Sequence, residues 1–263
     1  MIVYKSDNEI LVIKESNQIV AEILSDLGKM VKPGIQTREL DEYAHSRARE
    51  MGAIPAFKGY RSFPASLCTS INEEIVHGIP SSRVLQEGDI ISLDFGVIYE
   101  GYYGDAAVTH PVGEVSPIAR KLIAAATQSF YEGIKQLKVG NRISDVSYAV
   151  QKFVESVGFS VIKTFVGHGI GMSLHEEPQI PNFGSPGHGP KIKPGMVLAI
   201  EPMIAVGDWN VDILADQWTA VTRDKSLSAH FEHTVAVRDN SVEILSLLET
   251  DSDSSYSKES RYA

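Results

Sequence analysis

Cysteine is nearly absent from this sequence. Among 263 residues there is one, Cys68, so no intramolecular disulfide can form and a reducing compartment is expected. Long apolar runs are missing too. The longest are about five residues, such as Met196 to Ile200, against the roughly 20 that span a bilayer. The N-terminus carries Lys5, Asp7 and Glu9 and lacks the apolar stretch of a signal peptide. Positive charge is in deficit: 24 Lys and Arg against 34 Asp and Glu leave a net charge of −10. That balance argues against DNA, RNA or an anionic membrane as a partner through bulk electrostatics. A soluble, cytoplasmic protein is expected. No stretch comparable to the polar C-terminal end interrupts residues 1–249, and 43% hydrophobic content suffices for a core, so they read as one folded unit. From Thr250 to Ala263 there is no Val, Ile, Leu or Met, and this stretch reads as a disordered polar tail.

What is present first is an internal echo. Lys32-Pro33-Gly34 precedes a helical pattern at Leu40, Tyr43/Ala44, Ala48 and Met51, ending at Gly52. Lys138-Val139-Gly140 precedes Val146, Ala149/Val150, Phe153/Val154 and Val157, ending at Gly158. Both sets place apolar residues on one helical face and a glycine where a left-handed cap belongs. The two patterns are offset by 106 residues. At an offset of 107, Gly88-Asp-Ile-Ile-Ser-Leu-Asp94 is matched by Gly195-Met-Val-Leu-Ala-Ile-Glu201. Each is a turn residue, an apolar strand and a terminal carboxylate. The chain therefore reads as two similar halves, roughly 1–115 and 116–249. Each half opens on a further helix: Ser6 to Glu9 has capping-box spacing, and Ser116-Pro117 reads as an N-cap followed by proline. Helices and antiparallel hairpins segregate within each half, which makes the fold class α+β.

The chemistry lies in the carboxylates. Ile90 to Asp105 reads as a hairpin turning near Glu100-Gly101. Asp94 and Asp105, 11 residues apart, then share one face, opposite or diagonal. Asp is a poor strand former, so two in one ladder need a reason. Glu201 is held extended by Pro202. Glu232 sits in the strand-like run His230 to Val237, and His168 lies between glycines in Gly167-His-Gly-Ile-Gly171. Taken singly, each has an ordinary explanation: solvent-facing acids, or a structural histidine. Together, four carboxylates match the charge of two divalent cations, with His168 as a nitrogen ligand. Left empty, such a cluster would have to take up protons.

These residues stand in motifs that resemble the methionine aminopeptidases, specifically the short bacterial type I form, over essentially residues 1–249. The motifs are Ile71-Asn-Glu-Glu-Ile-Val-His-Gly-Ile-Pro80, Leu93-Asp-Phe-Gly96 with Gly104-Asp105, Gly167-His-Gly-Ile-Gly171, Leu174-His-Glu-Glu-Pro178, Ile200-Glu-Pro-Met203 and Phe231-Glu-His-Thr234. Any one is weak; six in this order are specific. The resemblance implies the pita-bread fold, two pseudo-twofold-related halves around a central antiparallel sheet. It implies metal-dependent removal of the initiator methionine from nascent polypeptides, after deformylation, when the second residue is small. It also implies a monomer, with transient ribosome contact conceivable from the role although no basic stripe marks a docking face.

Carried over by motif position, Asp94, Asp105, His168, Glu201 and Glu232 are the expected ligands of two divalent ions, whether Co, Mn, Fe or Zn. Glu201 is also the expected general base. His175 would stabilise the substrate carbonyl oxygen, and His77 would meet the scissile amide or the following residue. Phe57, Tyr60, Phe63, Cys68, Leu174 and Trp218 would form the methionine pocket. Here the chain departs from the common pattern: Phe57 stands where cysteine is frequent, Phe63 where tyrosine is, and Leu174 where phenylalanine is. His230, where Gln is frequent, is placed to tune the surroundings of Glu232.

Rival readings exclude themselves on particular features. Prolidases and Xaa-Pro aminopeptidases usually add a large N-terminal domain, for which the 93 residues before Asp94 leave no room. A non-catalytic or creatinase-like relative lacks metal ligands that are all present here. The 30 residues between Glu201 and Glu232 cannot hold the helical insertion of type II enzymes.

Overall fold

Helix α1 (Asp7–Met30) starts where its chemistry dictates. Ser6 accepts from the Glu9 amide while the Glu9 carboxylate accepts from the Ser6 amide, closing the capping box. A computed structural model describes residues 1–248 of the chain; the polar segment from Thr250 to Ala263 lies outside them. Helix α1 buries Ile10, Ile13, Val20, Ile23, Leu24 and Leu27 along one side. Helix α2 (Thr37–Glu50) is followed by Gly52 at φ 77°. Helix α3 (Pro117–Ile134) is capped by Ser116 with Pro117 in the first turn. Helix α4 (Ile143–Ser156) is followed by Gly158 at φ 87°. Both glycines adopt the left-handed conformation that the echo implied.

The helices cover a nine-stranded sheet whose pairings are all antiparallel. Its order runs Ile54–Pro55, Ile90–Tyr99, Tyr102–Pro111, Glu232–Val237, Val197–Ile200, Gly167–Gly169 and Glu176–Ile180. Leu67–Ile71 also pairs with Ile90–Tyr99, and Val242–Ile244 with Glu232–Val237. Two three-stranded sheets complete the described residues: Ser160–Val161, Met203–Ala205 and Ser228–His230 form one. Glu74–Val76, Val211–Ile213 and Ala220–Thr222 form the other.

Two large apolar clusters largely follow the two halves of the chain. Val20, Ile23, Leu27 and Leu40 of α1 and α2 pack on Leu93, Phe95 and Val97 of the first hairpin. Leu122, Phe130, Val146 and Val150 of α3 and α4 pack on Leu198, Ile200 and Val235. Truncating a fully buried member such as Phe130 would cost ~3–5 kcal/mol in transfer and cavity terms. Each half thus presses its own helices onto its own strands. Two further apolar clusters join the halves, one including Ile13, Cys68, Ile170 and Val197, the other Ile75, Val76, Ile162 and Met203.

Candidate metal centre and substrate cleft

The hairpin places the first two acids. Tyr99 pairs with Tyr102 across Glu100 and Gly101, whose φ values of 48° and 82° suit a tight two-residue turn. In that register Asp94 lies opposite Ala107 and Asp105 opposite Gly96, so the two side chains share a face on the diagonal. The neighbouring strand puts Glu232 on the other side of Ala107. Asp94 and Glu232 therefore flank one small residue. Next, His233 pairs with Ile200, so Glu201 comes opposite Glu232. Finally His168 pairs with Ala199. Five consecutive strands deliver one donor each to the same face.

The glycines beside His168 permit this. A Cβ at Gly167 would collide with the Ala199 carbonyl, and one at Gly169 with the Glu177 carbonyl. Larger residues would hold the His168 strand away from the acids.

His168 Nδ1 donates to its neighbour's carbonyl, Gly169 O, at 2.9 Å, which turns Nε2 towards the carboxylates. Nε2 stands 3.5 Å from Glu201 Oε1 and 4.0 Å from Asp105 Oδ2. These gaps exceed a hydrogen bond and suit two donors sharing an ion with arms of ~2.0–2.2 Å. Donor atoms of Asp105, His168 and Glu232 all lie within 4.8 Å of one another.

The electrostatics of the cluster agree. Asp94, Asp105, Glu201 and Glu232 are all buried. Asp94 Oδ1, Asp105 Oδ1 and Glu232 Oε1 have no hydrogen-bond partner among the described residues. Burial pushes Asp94 up to about 7. Burial and repulsion from neighbouring acids hold Asp105, Glu201 and Glu232 well above the usual carboxylate range. Burial, with His175 alongside, lowers His168 to about 3, leaving a neutral ring. Orphaned carboxylate oxygens facing a neutral imidazole are a donor set that fits divalent cations.

The expected substrate-side residues gather above these donors. His175 is exposed, its ring 4.3 Å from that of His168, and its Nδ1 is 2.8 Å from the Tyr60 hydroxyl. Although the residue as a whole is exposed, its imidazole is partly enclosed; that desolvation, then the nearby Arg61 cation, lowers its pKa. His77, half-buried at φ 62°, meets the edges of Phe165 at 5.5 Å and Trp218 at 5.9 Å. Burial, then His175, lowers it to about 4. Phe57, Phe63, Cys68 and Leu174 are buried in one apolar cluster with Tyr60 and Trp218 at its margin. Cys68 pairs directly with Asp94 in the sheet, so this wall adjoins the acids. A surface groove of about 670 Å³ lies elsewhere, along α3 and α4 beside Tyr148 and Lys152. Its lining includes none of these residues.

His230 is 1% exposed, its Nε2 is 3.8 Å from Glu232 Oε2, and both ring nitrogens lack partners among the described residues. It thus stands beside Glu232, as its position in the sequence suggested, without a hydrogen bond to it. Several supporting residues carried no sequence pattern. Asn182 Nδ2 donates to the Glu201 carbonyl (2.9 Å), and Thr234 Oγ1 to the Asp105 carbonyl (2.8 Å). Thr109 Oγ1 donates to the His230 carbonyl (2.7 Å) and accepts from its amide (2.9 Å). They hold the backbone of candidate donors, and of His230 beside Glu232, through contacts that appear once the chain is folded.

A clustered carboxylate–imidazole set on a sheet shared by two similar halves has the donors a metalloenzyme needs. The chain belongs to metallopeptidase family M24, which it matches over residues 12–239. It is 52% identical over 250 residues to the methionine aminopeptidase of Clostridium acetobutylicum, covering 95% of this chain and 100% of that one. Methionine aminopeptidase 1 of Bacillus subtilis is 50% identical over 93% of this chain and 99% of its own length. The solved methionine aminopeptidase of Thermotoga maritima superposes with a TM-score of 0.93 at 45% identity, covering 94% of this chain and 100% of that one. A prolidase of Pyrococcus horikoshii reaches 0.77 at 20% identity, and this chain spans 64% of its length, so the likeness is one of fold. The fold is therefore the α+β pita-bread expected from the motifs.

Proposed function

We propose that the chain removes the N-terminal methionine from polypeptides whose second residue is small, using two divalent ions held by Asp94, Asp105, His168, Glu201 and Glu232. The convergence of these five donors from five adjacent strands carries the reading. The kinship with methionine aminopeptidases supports it. When bound, such ions lower the pKa of a water towards ~7 and polarise a carbonyl.

The protein's own groups do the rest. Glu201, placed opposite Glu232 and 3.5 Å from His168, takes the proton of the attacking water. With the Tyr60 hydroxyl donating to His175 Nδ1, the neutral ring keeps its proton on Nε2 and donates to the substrate carbonyl oxygen as negative charge develops. His77, held between Phe165 and Trp218, meets the scissile amide or the residue after methionine. Phe57, Phe63, Cys68 and Leu174 form a wall suited to a thioether against aromatic edges, bounded by Tyr60 and Trp218.

The ions are of the Co, Mn, Fe or Zn type, which oxygen donors plus imidazole accept. The substrates are nascent polypeptide N-termini after deformylation, met in the cytoplasm by a monomer in transient contact with the ribosome. Among the described residues no helix is long and apolar enough to cross a membrane.

Release of methionine from Met-Ala-Ser and Met-Lys-Ser tests the reading, after chelation and add-back of Mn(II) or Co(II) under reducing conditions. Metal-dependent cleavage of the alanine peptide alone is expected. If neither peptide is cut although two metals bind, the methionine specificity is wrong and the pocket around Phe57, Phe63 and Leu174 takes a different residue.

A further inference from the structure

The loop that carries Leu174 and His175 leans on a residue far away in sequence. Lys5 lies just ahead of the α1 cap, yet its side chain is 3% exposed and its Nζ is 2.6 Å from Glu176 Oε2. Glu176 immediately follows His175 and is itself 12% exposed. The same Nζ donates to the Val3 carbonyl at 3.2 Å, and the Lys5 amide donates to the Gly195 carbonyl at 2.7 Å. The path is shaped for this strap. A Cβ on Gly171 would lie 2.5 Å from Lys5 Cε and 2.8 Å from Glu176 Oε1, and one on Gly195 would lie 2.8 Å from Lys5 O. The second Glu176 oxygen accepts from the Ser173 amide at 3.3 Å, folding the loop on itself. At its other end, the Gly171 carbonyl accepts from the Tyr103 amide at 2.8 Å, two residues from Asp105.

A lysine ammonium is almost never fully buried unless it is paired, and removing one partner leaves an uncompensated charge. Here the pair anchors one side of a loop whose tip is open to solvent, Met172 being 69% exposed. With Glu176 fixed, the adjoining His175 is held with its ring 4.3 Å from His168. Glu176 opens the strand Glu176–Ile180 and pairs with Gly169, so the ion pair sits at the junction between that strand and the loop that ends at His175. We propose that Lys5 is a positioning residue for the reaction, holding His175 over the metal centre through its buried ion pair with Glu176. This rests on the role assigned to His175 above.

The test uses the full-length, metal-loaded enzyme with K5M, K5R, E176Q and the K5M/E176Q double variant. Displacement of an oriented donor by about an ångström can lower turnover by roughly 10- to 100-fold. K5M and E176Q should each lose kcat on that scale, with KM and bound metal near wild type. The double variant should be no worse than either single one, and K5R should recover much of the loss. K5M or E176Q retaining wild-type kcat while melting earlier would make the pair a structural bridge and overturn the proposal. Should K5M fail to fold, E176Q and K5R decide in the same way. H175A with wild-type kcat would instead remove the role of His175, a failure of that reading and distinguishable from this one.

Discussion

Stripping the metal should leave a protein whose stability falls as pH rises. Asp94 is raised by burial from its ordinary 3.8 to about 7. A carboxyl whose folded pKa exceeds its unfolded value binds an extra proton in the native state, so native stability declines as pH climbs from about 4 to about 7. Three units at about 1.4 kcal/mol each make ~4 kcal/mol for Asp94 taken alone. Asp105, Glu201 and Glu232 shift in the same direction and add to the trend, although protons shared among coupled acids do not sum independently. About two of those three units are lost between about pH 5 and about pH 8, so at roughly 2–4 °C per kcal/mol for a chain of this size the Tm of chelated protein should drop by roughly 5–10 °C over that interval. Scanning calorimetry with and without chelator measures it. Divalent ions keep the carboxylates ionised throughout, so the loaded protein should show a much flatter profile. D94N should flatten the chelated profile as well. A metal-free Tm that stays level or rises over this interval would refute the account of the cluster as proton-loaded acids.

E201Q removes both a proton acceptor and one negative charge from the centre, and kcat should fall at least ~100-fold in the peptide-release assay. H175A should lower kcat by roughly 100- to 1,000-fold while elemental analysis still finds wild-type metal content, since His175 is a donor to substrate rather than a ligand; loss of metal would mean that its role has been confused with that of His168. G167A forces a methyl onto the Ala199 carbonyl and should weaken metal affinity measured by calorimetry, because it pushes the His168 strand away from its neighbours.

Where local rules decide the outcome, the sequence was a full guide. The capping box at Ser6, the proline-led start of α3 and the left-handed glycines after α2 and α4 all depend on residues within a few positions of one another. The diagonal pairing of Asp94 with Asp105 also follows from a two-residue turn and the alternation of a strand. The repeat was legible because each half obeys the same helix and strand periods. The substrate-side set, from Phe57 to Trp218, was reached through motif resemblance, since an aromatic in a pocket wall and an aromatic in a core look alike in one dimension.

Other features depend on strands that meet only in space. That Glu232 flanks Ala107 opposite Asp94 is a matter of register between segments 125 residues apart, and that Glu201 faces Glu232 is one between residues separated by 30 others. No periodicity specifies such a register. The ring of His230, without a hydrogen-bond partner among the described residues, the threonine and asparagine that hold the backbones of Asp105 and Glu201, and the pairing of Lys5 with Glu176 are of the same kind. The sequence by itself determined which donors exist and which local element carries each, because caps, turns and alternation act over a few residues. The tertiary structure alone decided that five of those donors share one dry face, because burial and mutual repulsion arise only when distant strands are brought side by side.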